Sequence, residues 1–267
     1  TTGSVTLFNP NPDFLIRTFS FSGNRLYTGG SFTTLGSTPR NSIAAIDANT
    51  GQMLNWNPEP TGTVTTIELK GGILYAGGSY SKLGGQTRNN IAALNPATGL
   101  ALAWNPNADD AVNSMAFDAS VLYIGGYFST IGGLTRNGIA AINLSTGVAT
   151  TWNPNASNTV NAIAIGGSVI YVGGEFTTIG GQTRNYLAAL SKTTGLATSW
   201  NPAPNDGIRA LALSGSSVYT GGDFYTIGGQ NRNRIAAFDT LTGTITSWNP
   251  DANLPVLYIV PFGNALY

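Results

Sequence analysis

Val160-Asn-Ala-Ile-Ala-Ile165, Val169-Ile-Tyr-Val-Gly-Gly-Glu-Phe176, Tyr186-Leu-Ala-Ala-Leu190 and Leu196-Ala-Thr-Ser-Trp200 are four short apolar runs in one stretch of this sequence. A Gly-Gly-Ser turn at 166–168 separates the first two. The loop Thr177-Thr-Ile-Gly-Gly-Gln-Thr-Arg-Asn185 separates the next pair, and a Lys-Thr-Thr-Gly turn at 192–195 the last. Asn201-Pro202 then opens the way to the following segment. None of the runs has the length or the spacing of a helix, so all four read as strands.

The same stretch recurs without a gap. Tyr27, Tyr75, Tyr123, Tyr171 and Tyr219 are each 48 residues after the last, and Tyr267 continues the series. Trp56, Trp104, Trp152, Trp200 and Trp248 keep the same interval, with Phe8 in the preceding slot, as do Arg40, Arg88, Arg136, Arg184 and Arg232. Four short antiparallel strands per unit, at a period near 45, predict an all-β fold, a β-propeller of four-stranded blades, with a β-solenoid as the main rival. Alternation in the first strand supports this. Small Val160, Ala162 and Ala164 face one way and Asn161, Ile163 and Ile165 the other, which suits wedge-shaped sheets narrowing toward an axis.

The reading is therefore one propeller domain over 1–267, with a partial blade at 1–10, five full repeats over 11–250 and a partial blade at 251–267. The leading outer strand falls at about 5–8 and the trailing inner strand at about 256–260. Six blades accommodate both ends better than five, although the composite blade then lacks its third strand. Ends of this kind predict either a cut from a longer array or self-association in which one subunit completes the next.

Composition narrows the function. Lys plus Arg equals Asp plus Glu at 12 each, so no net field favours nucleic acid or an anionic membrane. Charged residues are only 9% of the chain, while 35 glycines and 13 prolines suit many tight turns. Cys and His are both absent, which removes disulfides, thiol chemistry and every His-containing triad. No apolar run approaches a membrane span and no signal peptide opens the sequence, as in a mature secreted domain or in a sequence trimmed of its leader; the expectation is an extracellular or cell-surface location without membrane insertion.

Two resemblances follow from the motifs. Ala45-Ile-Asp-Ala-Asn-Thr-Gly51 before Trp56, and Ala237-Phe-Asp-Thr-Leu-Thr-Gly243 before Trp248, resemble the tryptophan-docking motif of quinoprotein-like propellers. The Gly-Gly-x-Phe-Thr-Thr-Ile-Gly-Gly-Gln-Thr-Arg-Asn run looks like the delta-60-type repeats of secreted and cell-surface bacterial propellers. The resemblance covers essentially the whole chain and implies the fold, with little said of function. One departure stands out: four residues (Gln52, Met53, Leu54 and Asn55) separate Gly51 from Trp56, where the quinoprotein motif has three. An extra residue turns the Trp to the opposite face unless a bulge absorbs it. No acidic/Asn cluster or adjacent-Cys pair marks a quinone site, so no cofactor and no metal site is expected.

Loops after the Trp and around the Arg open on one face by up-down counting. Asp13, Glu59, Asp109, Asp110, Asp206 and Asp251 lie there. So do the candidate ligand-binding pairs Arg40-Asn41, Arg88-Asn89, Arg136-Asn137, Arg184-Asn185 and Arg232-Asn233. Arg forks there could take carboxylate or sugar hydroxyl groups; equally, each Arg could bond loop carbonyls and each Asn hold a turn. The Trp series could stack sugars or fill crevices between blades. The Gly-Gly pairs from Gly29-Gly30 onward read as bulges or close backbone contacts. Glu68, Glu175, Asp223, Arg209, Tyr225 and Arg234 break the repeat, and only such residues could form a single catalytic site. Asn107, Asp109 and Asp110 carry oxygen donors suited to calcium, without a defined ligand spacing. The expectation is a non-catalytic structural, adhesion or self-assembly module with a glycan or other cell-surface partner. A multivalent carbohydrate-binding lectin is the alternative, and an extracellular enzyme is less favoured.

Overall fold

The computed structural model describes residues 8–267. Most of the leading outer strand expected at 5–8 lies outside the described residues. The described residues contain no helix. Contacts divide the chain into two compact bodies: one runs to Val112 and takes in Ser145–Gly147, and the other holds Asn113–Leu144 and Val148–Tyr267.

Each repeat builds the same antiparallel three-stranded sheet. In the fourth repeat the strands are Val160–Ile165, Val169–Gly174 and Leu187–Ser191, with Val169–Gly174 in the middle. The middle strand is apolar on both faces and is buried from Ile170 onward, because a sheet packs on each side of it. The cores accordingly lie between successive sheets. Tyr27, Ile43 and Trp56 of the first repeat cluster with Val64, Ile67 and Leu74 of the second. Tyr171, Leu187 and Ala189 of the fourth cluster with Ile208, Val218 and Phe238 of the fifth.

The Gly-Gly pair fixes how closely this packing comes, as a close-contact reading predicts. A Cβ on Gly173 would lie 2.3 Å from Ile208 Cγ2, at the start of the next repeat's first strand. Gly77 meets Val112, Gly125 meets Val160 and Gly221 meets Val256 in the same way, at 2.5–2.6 Å. The second glycine answers a different demand. A Cβ on Gly174 would sit 2.1 Å from the Thr159 carbonyl, where the register of the first strand shifts between Val160 and Ala162. The bulged residue, Asn161, is thereby pushed out of the alternation.

The segment expected as a fourth strand contributes a single antiparallel bridge, Leu190 to Ala197 in the fourth repeat, and likewise Ile46–Met53, Leu94–Ala101, Ile142–Ala149 and Phe238–Ile245. After the bridge the chain bends at Ser199, and the amide of Trp200 returns to Thr198 Oγ1 at 3.3 Å. That bend absorbs the residue by which this motif exceeds the quinoprotein spacing. The Trp still reaches the neighbouring sheet: Trp200 Nε1 donates to the Gly243 carbonyl at 2.8 Å, and Trp152 Nε1 to Ser191 at 3.0 Å. Each Trp stands edge-on to the Tyr of its own repeat, with ring centroids 5.0–5.4 Å apart. Trp56 and Trp152 are buried in this way and fill crevices, whereas Trp104, Trp200 and Trp248 keep part of their surface exposed.

The loop of the fourth repeat expected at 177–185 is more ordered than the sequence suggests. Thr178–Ile179 pairs with Gln182–Thr183 as a two-residue hairpin. Gly180 and Gly181 both carry positive φ (61° and 75°), the requirement of a type I′ turn. Ile179 plugs this hairpin into the core, and Leu35, Leu83, Ile131 and Ile227 do so in the other repeats.

Candidate functional site

The loop face is where sequence placed the ligand-binding residues, and the hairpin above organises it. Gly180 N–H donates to the Pro154 carbonyl at 2.7 Å, tying the hairpin to the Asn-Pro loop of the preceding repeat. Gly84 bonds Pro58 and Gly228 bonds Pro202 in the same manner. The acceptor one turn along is also a repeat feature. Asp13, Thr61, Ser157 and Asn205 each accept two consecutive N–H groups of the next hairpin with a side-chain oxygen. Three hydrogen bonds from Thr33 and Thr34 hold the Asp13 carboxyl down to about 2. Other acidic groups on this face are similarly engaged: Glu59 accepts from Asn57, Asp251 from Asn233, and Asp110 and Asp206 from the following amides.

The five arginines are spent on backbone. Arg184 Nη1 donates to the Thr183 carbonyl at 2.8 Å and Nη2 to the Thr198 carbonyl at 2.6 Å, joining hairpin to outer segment. Arg40 reaches Pro39 and Leu54, and Arg88 reaches Thr87 and Leu102. Arg136 reaches Thr135 and Thr150, and Arg232 reaches Asn231 and Thr246, all at 2.6–3.2 Å. The fork that could grip a carboxylate instead grips the two carbonyls exposed where the fourth segment leaves the sheet.

The asparagines divide by repeat. Asn89 donates to Asn107 at 2.9 Å, Asn137 to Asn155 at 2.7 Å and Asn233 to Asp251 at 2.6 Å. The accepting residue follows the Asn-Pro pair and has positive φ in every repeat: Glu59, Asn107, Asn155, Ala203 and Asp251. For Asn185 that position is Ala203, which has no acceptor, and for Asn41 it is Glu59, bonded to Asn57. Asn89 lines a hollow of about 540 Å³ with Asp109 and Asp110, and Asn137 another of about 360 Å³ with Tyr127 and Ser157. The candidate pairs are thus brought to one kind of loop, where Asn89 and Asn137 line hollows and the arginines are bonded to backbone.

The residues that break the repeat do come together in the second body. The bulge that displaces Asn161 displaces Arg209 in the fifth repeat, between Ile208 and Ala210. Arg209 Nε donates to Asp223 Oδ2 at 2.7 Å, and Nη2 lies 3.4 Å from Glu175 Oε1. Asn161 donates to Glu175 at 3.5 Å and to the Ile208 carbonyl at 3.1 Å, and it accepts from Asn113 at 3.3 Å. Asn113, Asn161, Glu175, Arg209 and Asp223 therefore form one polar row along successive first strands. The signal for it was in the sequence: bulge position and second-strand end are offset by 14 residues, as in Asn161/Glu175 and Arg209/Asp223. Tyr225 and Arg234 also meet, the guanidinium 4.7 Å over the ring and bonded to its hydroxyl. Glu68 stands apart in the other body, where burial pushes its carboxyl up against a weaker pull from Lys70.

Arg209 stands between the two carboxylates, where a substrate of an acid/base pair would have to sit. Among the described residues no group of three or more His, Cys, Asp or Glu is placed to hold a metal ion. Residues 17–267 match the family described as outer membrane protein assembly factor BamB. The chain belongs to this family. This BamB-family chain resembles quinoprotein-type propellers. Among solved structures it is similar to the computationally designed Ika8 protein, at 19% identity and a TM-score of 0.63, over 94% of this chain and 66% of that one. It is also similar to the WD40 β-propeller domain of Doa1, at 10% identity and 0.63, over 92% and 72%. A chain of the mitotic checkpoint complex matches at 14% identity and 0.63, over 95% and 72%. Family and likenesses together make the fold a β-propeller. No curated protein matches the sequence. Among the described residues no helix is long and apolar enough to cross a membrane.

Proposed function

We propose that the chain is a non-catalytic propeller, extracellular or at a cell surface, that works by binding other proteins or further copies of its own repeat. The observation that carries this is the use of the repeated polar groups. All five arginines hold loop carbonyls, so the repeat is architecture and the surface it presents is a scaffold. The family description, an assembly factor, is that of a protein acting through partners. An exposed sheet face supports the self-association arm. Phe19 and Phe21 on Ile16–Ser22 are 55% and 62% exposed, whereas Ile67, the equivalent of Phe19, is buried against Gly29 of the preceding repeat. A further sheet of the same kind would cover them.

Six blades, each counting the bridged segment as its fourth strand, are part of the proposal. Val256 packs on Gly221 as Ile208 packs on Gly173, and Pro261–Phe262 pairs with Ala265–Leu266 as the next repeat's hairpin would. Electron imaging of the purified chain from dilute to crowded solution tests the reading. Six-bladed rings that associate as concentration rises are expected. Rings that stay single throughout, with no retention on envelope preparations or a glycan panel, contradict it.

A further inference from the structure

A groove of about 850 Å³ opens between the fourth and fifth repeats, away from the polar row. Its lining includes Gly166, Val169, Tyr171, Trp200, Asp239 and Leu241. The equivalent crevices elsewhere show what such a place accepts. Between the first and second repeats, Arg25 lies over Tyr27, 6.0 Å from its centroid, and donates to the Pro96 carbonyl at 2.7 Å. Between the third and fourth, Lys192 forms an ion pair with Asp118 beside Tyr123. In both, a basic side chain of the chain itself lies in the aromatic crevice, and beside Arg25, Tyr27 and Pro96 a smaller hollow of about 470 Å³ remains.

The fourth crevice has lost every one of those groups. The positions of Arg25, Asp118 and Lys192 hold Val169, Gly166 and Thr240. In exchange it has gained a carboxylate: Asp239 stands where the other two crevices have Asn95 and Ser191. Leu241 N–H, Thr242 N–H and the Thr242 hydroxyl all bond Asp239 Oδ1, and among the described residues Oδ2 accepts none. No Lys or Arg lines the groove. Burial of Tyr171, with the Asp239 charge beside it, pushes the phenol up and keeps it a neutral ring.

We propose that this groove binds a basic side chain of a partner protein, an arginine or lysine, with its charged end on Asp239 Oδ2 and its stem along Tyr171 and Trp200. The inference deepens the reading of the chain as a binding module and rests on it. An aromatic wall and a carboxylate with one oxygen unpaired, in a site without a cation, are complementary to a guanidinium or ammonium on an apolar stem. Neutral saccharides fit less well, since they carry no charge to pair with Asp239 Oδ2.

The test is an amide-shift titration of the intact chain with Nα-acetyl-arginine N-methylamide, against its citrulline counterpart and a panel of neutral disaccharides. Saturable shifts at residues 239–243 and at the Trp200 indole are expected with arginine and not with citrulline. Asp239→Asn should weaken the binding at least tenfold. The fold should tolerate that change, because Asn95 Oδ1 accepts the same two turn amides in the second repeat. Val169→Arg, which copies Arg25, should place the chain's own cation in the groove and abolish the shifts. Equal shifts with citrulline, unchanged affinity in Asp239→Asn, or disaccharide shifts with arginine silent would each overturn the proposal. Concentration-dependent association in the imaging experiment would still stand, so loss of this site and loss of the module reading are separable.

Discussion

At the scale of single residues, the repeated arginines are explained by the backbone groups they satisfy. Arg184 bonds two carbonyls, and a hydrogen bond involving a charged group contributes about 1.5–3 kcal/mol. Arg184→Ala should therefore cost about 2–4 kcal/mol in urea unfolding, with Arg184→Lys recovering only part, since an ammonium cannot span both acceptors. Ala203 bears the opposite prediction. It is held at φ 42° with no glycine freedom and faces the position where Asn107 and Asn155 accept a bond. Ala203→Asn should raise stability by about 1 kcal/mol, from relief of the strained φ and a new acceptor for Asn185. Asp13 supplies a pH dependence. Its folded value near 2 lies below the ordinary carboxylate value, so its contribution is present above about pH 4 and is lost as pH falls toward 2. Asp13→Asn keeps one acceptor, as Asn205 does, so thermal melts of the two proteins should converge across that window.

At the scale of elements, the glycine pairs decide how sheets meet. Gly173→Ala places a methyl 2.3 Å from Ile208 Cγ2 and should destabilise by about 1–3 kcal/mol or more, measured by equilibrium unfolding. Ile208→Ala in the same protein should recover part of that loss, because it removes the opposing methyl. The strands themselves were legible in the sequence, since period-two alternation and the turn residues after Ile165 and Leu190 mark their ends. The hairpin at 178–183 was less so. Two residues per arm are too few for alternation to register, and only the Gly180-Gly181 pair, with both φ positive, signals the type I′ turn. The outer segment was read as a strand from Leu196 to Trp200. It pairs once and then bends, because the Trp must turn back to the next sheet despite its extra residue.

At the scale of the molecule, a 48-residue repeat makes the fold legible and the function hard to read. Selection for packing writes the same residue in every repeat, so Arg, Trp and Gly-Gly stand out for reasons of architecture. Function is carried where repeats differ, and sequence alone does not show which differences meet. Glu175, Arg209 and Asp223 look scattered over two repeats, yet the bulge at each first strand brings them into one row. Asp239 looked like one more member of a Thr-Gly turn, and only the structure puts it in a groove that no Lys or Arg lines. The row is structural if its charges compensate one another: Arg209→Ala should then leave Glu175 and Asp223 facing each other's charge and lower the melting temperature. Sodium chloride should partly restore it by screening.

The central claim is that what repeats is frame and what differs is function. Urea unfolding of the five variants Arg40→Ala, Arg88→Ala, Arg136→Ala, Arg184→Ala and Arg232→Ala tests it most directly. The account predicts that every one of them lowers stability, each by about 2–4 kcal/mol through its two lost carbonyl bonds. Five variants as stable as the parent chain would contradict it and return the arginines to the role of ligand-binding residues.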